Sequence, residues 1–410
     1  MKVWLKLLIG SVLGIIIGLL LPNNEGVLAA LMWLEKLSLG IGRYVVIPIL
    51  VFSLAIAVYE LRMDEQFWRM VFKNFILIIG ASVFVIFLGI IVTTIVSPDR
   101  IPIDTVEQVE VLGINLTASV HDLFPDNMLS VLTGSGVYLL PMCVFAFFLG
   151  MGLSCDKNFA KPIISLVDSF SRIFYHVASF FSEILGFILI ALAAYWAVRL
   201  NAVLHAKIYK DLILMLGIFS VVLCFGILPL FLYLLKPKLN PWRVLYGMLA
   251  PAFTAFFSGD VNMSIPVLQR HAKENFGIRR RSSALSLALF STFCRCGSAM
   301  VAAAAFIVII KSYSLLRIDA VNLFIIGFHA FVISFLLARH PGEGAYIALA
   351  ALCLSYSGGE YSAGYLILKP IAFYLIAVGT FIDVMLNAFG TYVIGRINGF
   401  IEDKNVVHYI

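Results

Sequence analysis

The chain has 410 residues, enough for two soluble domains, but its composition excludes them. Hydrophobic residues make up 62% and charged residues 13%, against roughly 45–50% and about 25% in soluble chains. So few charges cannot cover a soluble surface of this size, and the mean hydropathy of +1.02 says the same. Soluble enzymes, disordered tails and nucleic-acid readers are excluded, and a polytopic membrane protein is predicted. The net charge of +6 fits basic loops on the cytoplasmic side of a membrane rather than a nucleic-acid partner.

A helix needs about 20 predominantly apolar residues to cross a bilayer. In chain order, spans are predicted over 3–21, 39–60, 71–97, 134–154, 171–198 and 211–235. The first follows Lys2 and contains Lys6, and it is read as a membrane helix rather than a leader, because a polar break at 22–26 and further spans follow it. The stretch 98–127 is acidic, with Asp99, Asp104, Glu107, Glu110, Asp122 and Asp126 against Arg100. Basic residues gather instead at Lys236, Lys238 and Arg243, and at Arg270, Lys273, Arg279, Arg280 and Arg281. The excess of Lys and Arg sends these loops and both termini to the cytoplasm and the acidic loop outside. The expected location is the inner or plasma membrane, crossed many times.

Apolar stretches at 244–268, 320–358 and 365–395 are interrupted where a simple span would be smooth, at FSGDVNMSIP (257–266), CRCGS (294–298) and ARHPGEG (338–344). Irregular backbone at membrane depth survives only beside protein or a watery cavity, and such interrupted segments point to a transporter's binding site. No sequence repeat of fixed period is present, and no phosphate loop, metal-ligand set or nucleophile with an ordered base, so no enzyme is expected. The six cysteines (Cys143, Cys155, Cys224, Cys294, Cys296 and Cys353) lie mostly in apolar runs. Cys294 and Cys296 without a nearby His are a weak soft-metal pattern, read here as buried inert thiols, and no metal or cofactor is expected.

This order of elements resembles the dicarboxylate/amino acid:cation symporter family, the glutamate-transporter type. VIPILVFSLAIAV (46–58) and ASVFVIFLGII (81–91) look like its second and third helices. SIPVLQRHAKENFGI (264–278) resembles the end of its first hairpin with a Ser-Pro turn, and HPGEGAYIALA (340–350) its second-hairpin tip. The resemblance implies an all-α membrane fold of eight transmembrane helices and two re-entrant hairpins. It also implies a homotrimer in the bilayer, with a fixed scaffold and a mobile transport domain that moves like an elevator. On it the chain divides into spans 1–3 (1–98), an extracellular acidic loop (99–133), spans 4–6 (134–240), and a region of hairpin 1, broken span 7, hairpin 2 and span 8 (241–410).

Carried over residue by residue, the resemblance implies substrate contacts at Val261, Asn262, Arg295, Ser298, Gly342, Gly344, Gly379, Thr380 and Asp383. It implies ion-site remnants at Ser82, Thr292, Cys294, Cys296, Asp383 and Asn387. The departures fall on these motifs. The family's N-M-D-G-T in the broken helix reads Cys294-Arg295-Cys296-Gly297-Ser298, so two oxygen ligands of sodium become thiols. A Thr-Ser pair of the third helix reads Ala81-Ser82. In the last helix, D-x-x-R-T-x-x-N-x-x-x-D falls on Ile376, Gly379, Thr380, Asp383 and Asn387, which removes the aspartate and the arginine that hold an acidic amino acid.

Gly379, Thr380, Asp383, Asn387 and Gly390 share one helix face, which is also how a small-residue packing seam reads. A carboxylate in mid-membrane costs about 2.5–3.5 kcal/mol on insertion scales, so Asp383 needs a partner or a function. Arg295, the only charge between Arg281 and Lys311, needs one too. The candidate partners are Asp383, Asp260 and Glu343, in a structural pair or a functional one, and Arg339 and His340 could also meet an anion. The expected function is secondary transport of a small polar solute, an amino acid or organic acid, with sodium coupling reduced or absent. Alternatives are a proton-coupled carrier using Asp383, or a transporter-like channel or sensor; Na+ or H+ are the coupling ions in question.

Overall fold

The structure is a computed structural model that describes the chain except residues 1, 23, 103–122, 126, 134–136, 236–239, 314–317, 357–360, 403, 405–408 and 410. Asp104, Glu107, Glu110, Asp122 and Asp126 of the acidic loop, and Lys236 and Lys238, lie outside the described residues. What is described is almost wholly helical, with one isolated bridge between Ile278 and Ile401.

In chain order the helices are α1 (Val3–Leu20), α2 (Glu25–Arg43), α3 (Val46–Met63), α4 (Phe67–Val96), α5 (Leu140–Cys155), α6 (Lys157–Ala206), α7 (Lys210–Val221) and α8 (Leu228–Leu235). They continue with α9 (Pro241–Ser258), α10 (Val261–Glu274), α11 (Arg280–Phe293), α12 (Cys296–Tyr313), α13 (Ala320–Leu336), α14 (Gly344–Ser355) and α15 (Ala372–Ile397). Eight helical runs among the described residues are long and apolar enough to cross a membrane. Length matters to the details. The predicted second span at 39–60 is part of a run from Glu25 to Met63, and the fifth belongs to the fifty-residue α6. Of the predicted fourth span, residues 134–136 lie outside the described residues, and α5 is an apolar helix of 16 residues, shorter than the eight long runs.

Apolar side chains sort the helices into lipid-facing and central ones. α1, α4, α6 and α13 carry large exposed hydrophobics such as Leu20, Trp68, Phe187 and Val321. By contrast, Cys296–Ile310 of α12 and Ala372–Gly395 of α15 are buried almost without exception. A helix apolar all round belongs in the core, and these two pack on each other there, with α4, α9, α11 and α14 around them.

Two of the interruptions, at 257–266 and 338–344, are hairpin tips. Gly259, at φ +63°, closes α9, and the Asp260 side chain accepts from the Asn262 N–H at 2.8 Å to start α10. The first hairpin therefore turns at 258–260. The Ser-Pro turn expected near 264–266 is corrected: Pro266 lies inside α10. The second hairpin runs down α13, turns at 337–343 and returns through α14. The Val261 N–H donates to the Pro341 carbonyl at 3.2 Å, which joins the two tips.

Small residues set how closely α1 approaches α6. A Cβ on Gly10, Gly14 or Gly18 would collide with the backbone carbonyls of Gly186, Ile190 and Ala194 in turn. Gly14→Val is expected to lower stability by about 1–3 kcal/mol through this overpacking. Gly40→Val, where the added Cβ meets open space, should stay within about 0.5 kcal/mol. Melting of both variants in one detergent checks the contrast.

Candidate functional site

Three breaks in the helical backbone meet around one buried ion pair. Cys294, at φ −90° and ψ 70°, ends α11, and α12 starts at Cys296, so Arg295 sits in the gap. A new helix start leaves N–H groups without intrahelical partners. Asp383 of α15 takes them: its Oδ1 accepts from Gly297 N at 2.7 Å and Ser298 N at 3.2 Å. The Ser298 hydroxyl donates to Oδ2 at 2.6 Å. Asp383 thus caps a helix from across the core, where the positive end of the helix dipole favours a carboxylate.

Arg295 completes the cluster. Its Nε lies 3.2 Å from Asp383 Oδ2, off the line of a hydrogen bond, and each side chain is only 1% exposed. The fork does not close on the carboxylate. Instead Nη2 donates to the carbonyls of His340 at 3.3 Å and Pro341 at 3.1 Å in the second-hairpin tip. The guanidinium lies against Gly344, where a Cβ would run into it. One side chain thus ties the broken helix, α15 and the second hairpin together.

Asp260, considered from sequence as a second partner for Arg295, is corrected: it is fully buried and ion-paired with Arg43 at the end of α2. Arg43 also borders Gly342, whose added Cβ would lie 3.3 Å from its Nη2. Glu343 is exposed and forms no ion pair among the described residues. Sequence reading missed Arg43, although a cation inside an apolar run was there to see.

Val261 and Asn262 lie at the first tip, where the Asn262 amide donates to the Val137 carbonyl at 2.8 Å. The Thr380 hydroxyl faces Ala255 O at 3.1 Å and Ile376 O at 2.9 Å. Gly379 packs on Ser298 and Ala345, and Gly390 on Phe290, so both serve helix packing. Of the ion-site positions, the Thr292 hydroxyl donates to Ala288 O at 2.6 Å. The Asn387 amide donates to Ser291 Oγ at 2.7 Å, and the Cys294 and Cys296 sulfurs lie 3.8 Å apart as free thiols. Ser82 Oγ is buried beside the Cys296 thiol, and Asn387 Oδ1 is buried with no partner among the described residues.

Removing one member of a buried pair strands the other. Arg295→Met is expected to cost about 3–5 kcal/mol, and adding Asp383→Asn should recover part of it. A double-mutant cycle on melting or denaturant stability reads the coupling. Strictly additive losses would show that the contact carries no energy.

The comparisons with known proteins agree with this architecture. The chain matches part of the "Proton/sodium-glutamate symport protein" of Bacillus subtilis (strain 168), at 24% identity over 198 residues. That match spans 46% of this chain and 46% of the relative, less than half the length of either. The family match is far longer, covering residues 3–397. The chain belongs to the sodium:dicarboxylate symporter family.

Proposed function

We propose that this chain is a secondary active transporter of a small polar solute, an amino acid or organic acid, with sodium coupling reduced or absent. The observation that carries the reading is the place of the Arg295 guanidinium, in the break of the helix, beside Asp383 and under the second-hairpin tip. It is a positive charge tethered where a carrier driven by a cation gradient would hold a dissociable one. The donor set fits sodium poorly. The thiols of Cys294 and Cys296 are soft ligands, and Asp383, the carboxylate of the cluster, already faces two N–H groups, a hydroxyl and Arg295.

The solute moves, on this reading, with α9–α15 as a mobile unit against a scaffold of early helices, in a homotrimer. Family membership supports this arrangement. Recognition of an acidic amino acid has lost its residues: Ile376 offers no carboxylate to the amino group and Gly379 no cation to the side-chain carboxylate, and Gly379 is packed too tightly against Ser298 for a larger group. Aspartate or glutamate at millimolar concentration should therefore leave the melting midpoint unchanged, with or without sodium, since a ligand of the native state would raise it. A sodium-dependent rise would refute this.

Proteoliposomes test the coupling. Candidate amino and organic acids should be taken up little or no faster with a sodium gradient than without one; uptake that requires a proton gradient would assign the work to Asp383, and strong sodium dependence would defeat the tethered-cation reading. In mild detergent or nanodiscs the particle mass should be about three times 45.3 kDa. Monomers alone under all these conditions would count against the trimer.

A further inference from the structure

At the basic end of the molecule, α3, α6, the end of the first hairpin and the start of α11 enclose a cavity of about 400 Å³. Arg172, Lys273, Arg279, Arg280 and Arg281 line it with His176, and Glu60 is the one carboxylate in its wall. Glu60 itself lies 3.4 Å from Arg280, and the other carboxylates that balance these cations are outside the lining. Asp168 holds Arg172 through Nε at 3.0 Å and also pairs with Arg280, Asp64 pairs with Arg281, and Glu402 lies 3.4 Å from Arg279. A guanidinium held by a carboxylate through one or two of its five N–H groups keeps others for a further acceptor.

Lys273 is the cation left over. No carboxylate lies within ion-pair distance of its ammonium among the described residues, and the group rests 3.9 Å over the Tyr175 ring. Arg172, Arg280 and Lys404 repel it, against the attraction of Glu274. Glu274 is itself engaged, accepting from the Tyr175 hydroxyl at 2.7 Å and lying 3.4 Å from Arg270. Neutral polar groups complete the wall: Ser171, Gln269 and Ser283, all buried, with the Ser283 hydroxyl donating to the Arg280 carbonyl at 3.1 Å. Five cations against one carboxylate, with polar neutral groups among them, are the complement of an oxyanion with several acceptor oxygens. The room exceeds that of a bare tetrahedral ion, so the anion can carry a substituent.

We infer that this cavity binds a phosphate-bearing anion, either the headgroup of an acidic phospholipid or a soluble phosphate. The ligand bridges α6 to the first hairpin and the start of α11, since Arg172 and His176 come from α6, Lys273 from α10 and Arg279–Arg281 from the start of α11. Binding there is independent of the ion pair at Arg295 and of what the protein transports.

The test uses the full chain purified in a neutral detergent with phosphatidylcholine. Melting is followed while phosphatidylglycerol or phosphatidic acid is added in one arm, and inorganic phosphate against chloride at equal ionic strength in the other. A rise in midpoint of several degrees is expected in at least one arm. A response to lipid alone identifies a headgroup, and a response to phosphate identifies a soluble anion. Lys273→Gln and Arg279→Gln should each weaken half-saturation by about tenfold, the scale of one charge-assisted hydrogen bond, while Lys273→Arg keeps it. Arg69→Gln, a basic position outside the cavity, should respond as the unaltered protein does. Where a Gln variant fails to fold, native mass spectrometry of Lys273→Arg and unaltered protein still reads retained phospholipid or phosphate. No rise in either arm overturns the inference. So does an equal loss in Arg69→Gln, or Gln variants that bind like the parent.

Discussion

The contact between Arg295 and Asp383 sets the terms for the centre of this protein. Two ions that are each 1% exposed sit in a core otherwise built of apolar helices. Desolvation costs several kcal/mol per ion even after relaxation, and attraction alone rarely offsets it. Here the offset comes from company. Asp383 gathers two backbone N–H groups and the Ser298 hydroxyl, and Arg295 reaches two carbonyls. Those N–H groups are available only because the helix breaks: in a continuous helix the N–H groups of residues 297 and 298 would bond the carbonyls of 293 and 294. The break, the bare Gly344 beside the guanidinium and the tight packing of Gly379 are all conditions for burying this one pair.

The first-hairpin tip obeys the same rule with different residues. Asp260 is fully buried, and it answers both to the Asn262 N–H at the start of α10 and to Arg43 from α2. Each tip thus depends on an arginine from another element, one through a carboxylate and the other through main-chain carbonyls. The tips are also bonded to each other by Val261 and Pro341. Disturbing either cation therefore disturbs a joint with three or more members, so the residues of the site act as a unit.

Much of this was legible in the sequence, for reasons that explain the misses too. Arg295 and Asp383 stood out because charge in an apolar run is expensive wherever it falls, and both runs are long. Asp260 was given the wrong candidate partner because Arg43 lies near the start of a predicted span, where a cation reads as an interfacial residue. At the first-hairpin tip the Ser-Pro pattern is a weaker signal than Gly259 followed by Asp260, which stops one helix and caps the next. The glycines at positions 10, 14 and 18 recur every fourth residue and were passed over, since hydropathy counts them as neutral while their worth lies in letting backbones approach. The carbonyl partners of Arg295 had no sequence signal, because every residue except its side chain looks alike to the backbone.

A tethered cation changes the thermodynamics of a gate, beyond its electrostatics. A dissociable ion that favours the closed hairpin stabilises it by RT ln(1 + [L]/Kd), so closure follows the ion's concentration on each side of the membrane. That dependence is what lets an ion gradient drive a solute. A guanidinium fixed by the chain contributes the same to closure on both sides, whatever the salt outside. On the proposed reading, the equilibrium between open and closed tips is then biased by the solute and by packing alone. On that same reading a sodium gradient would have no purchase at this position, and net movement would follow the solute's own gradient unless a second ion bound elsewhere in the moving unit.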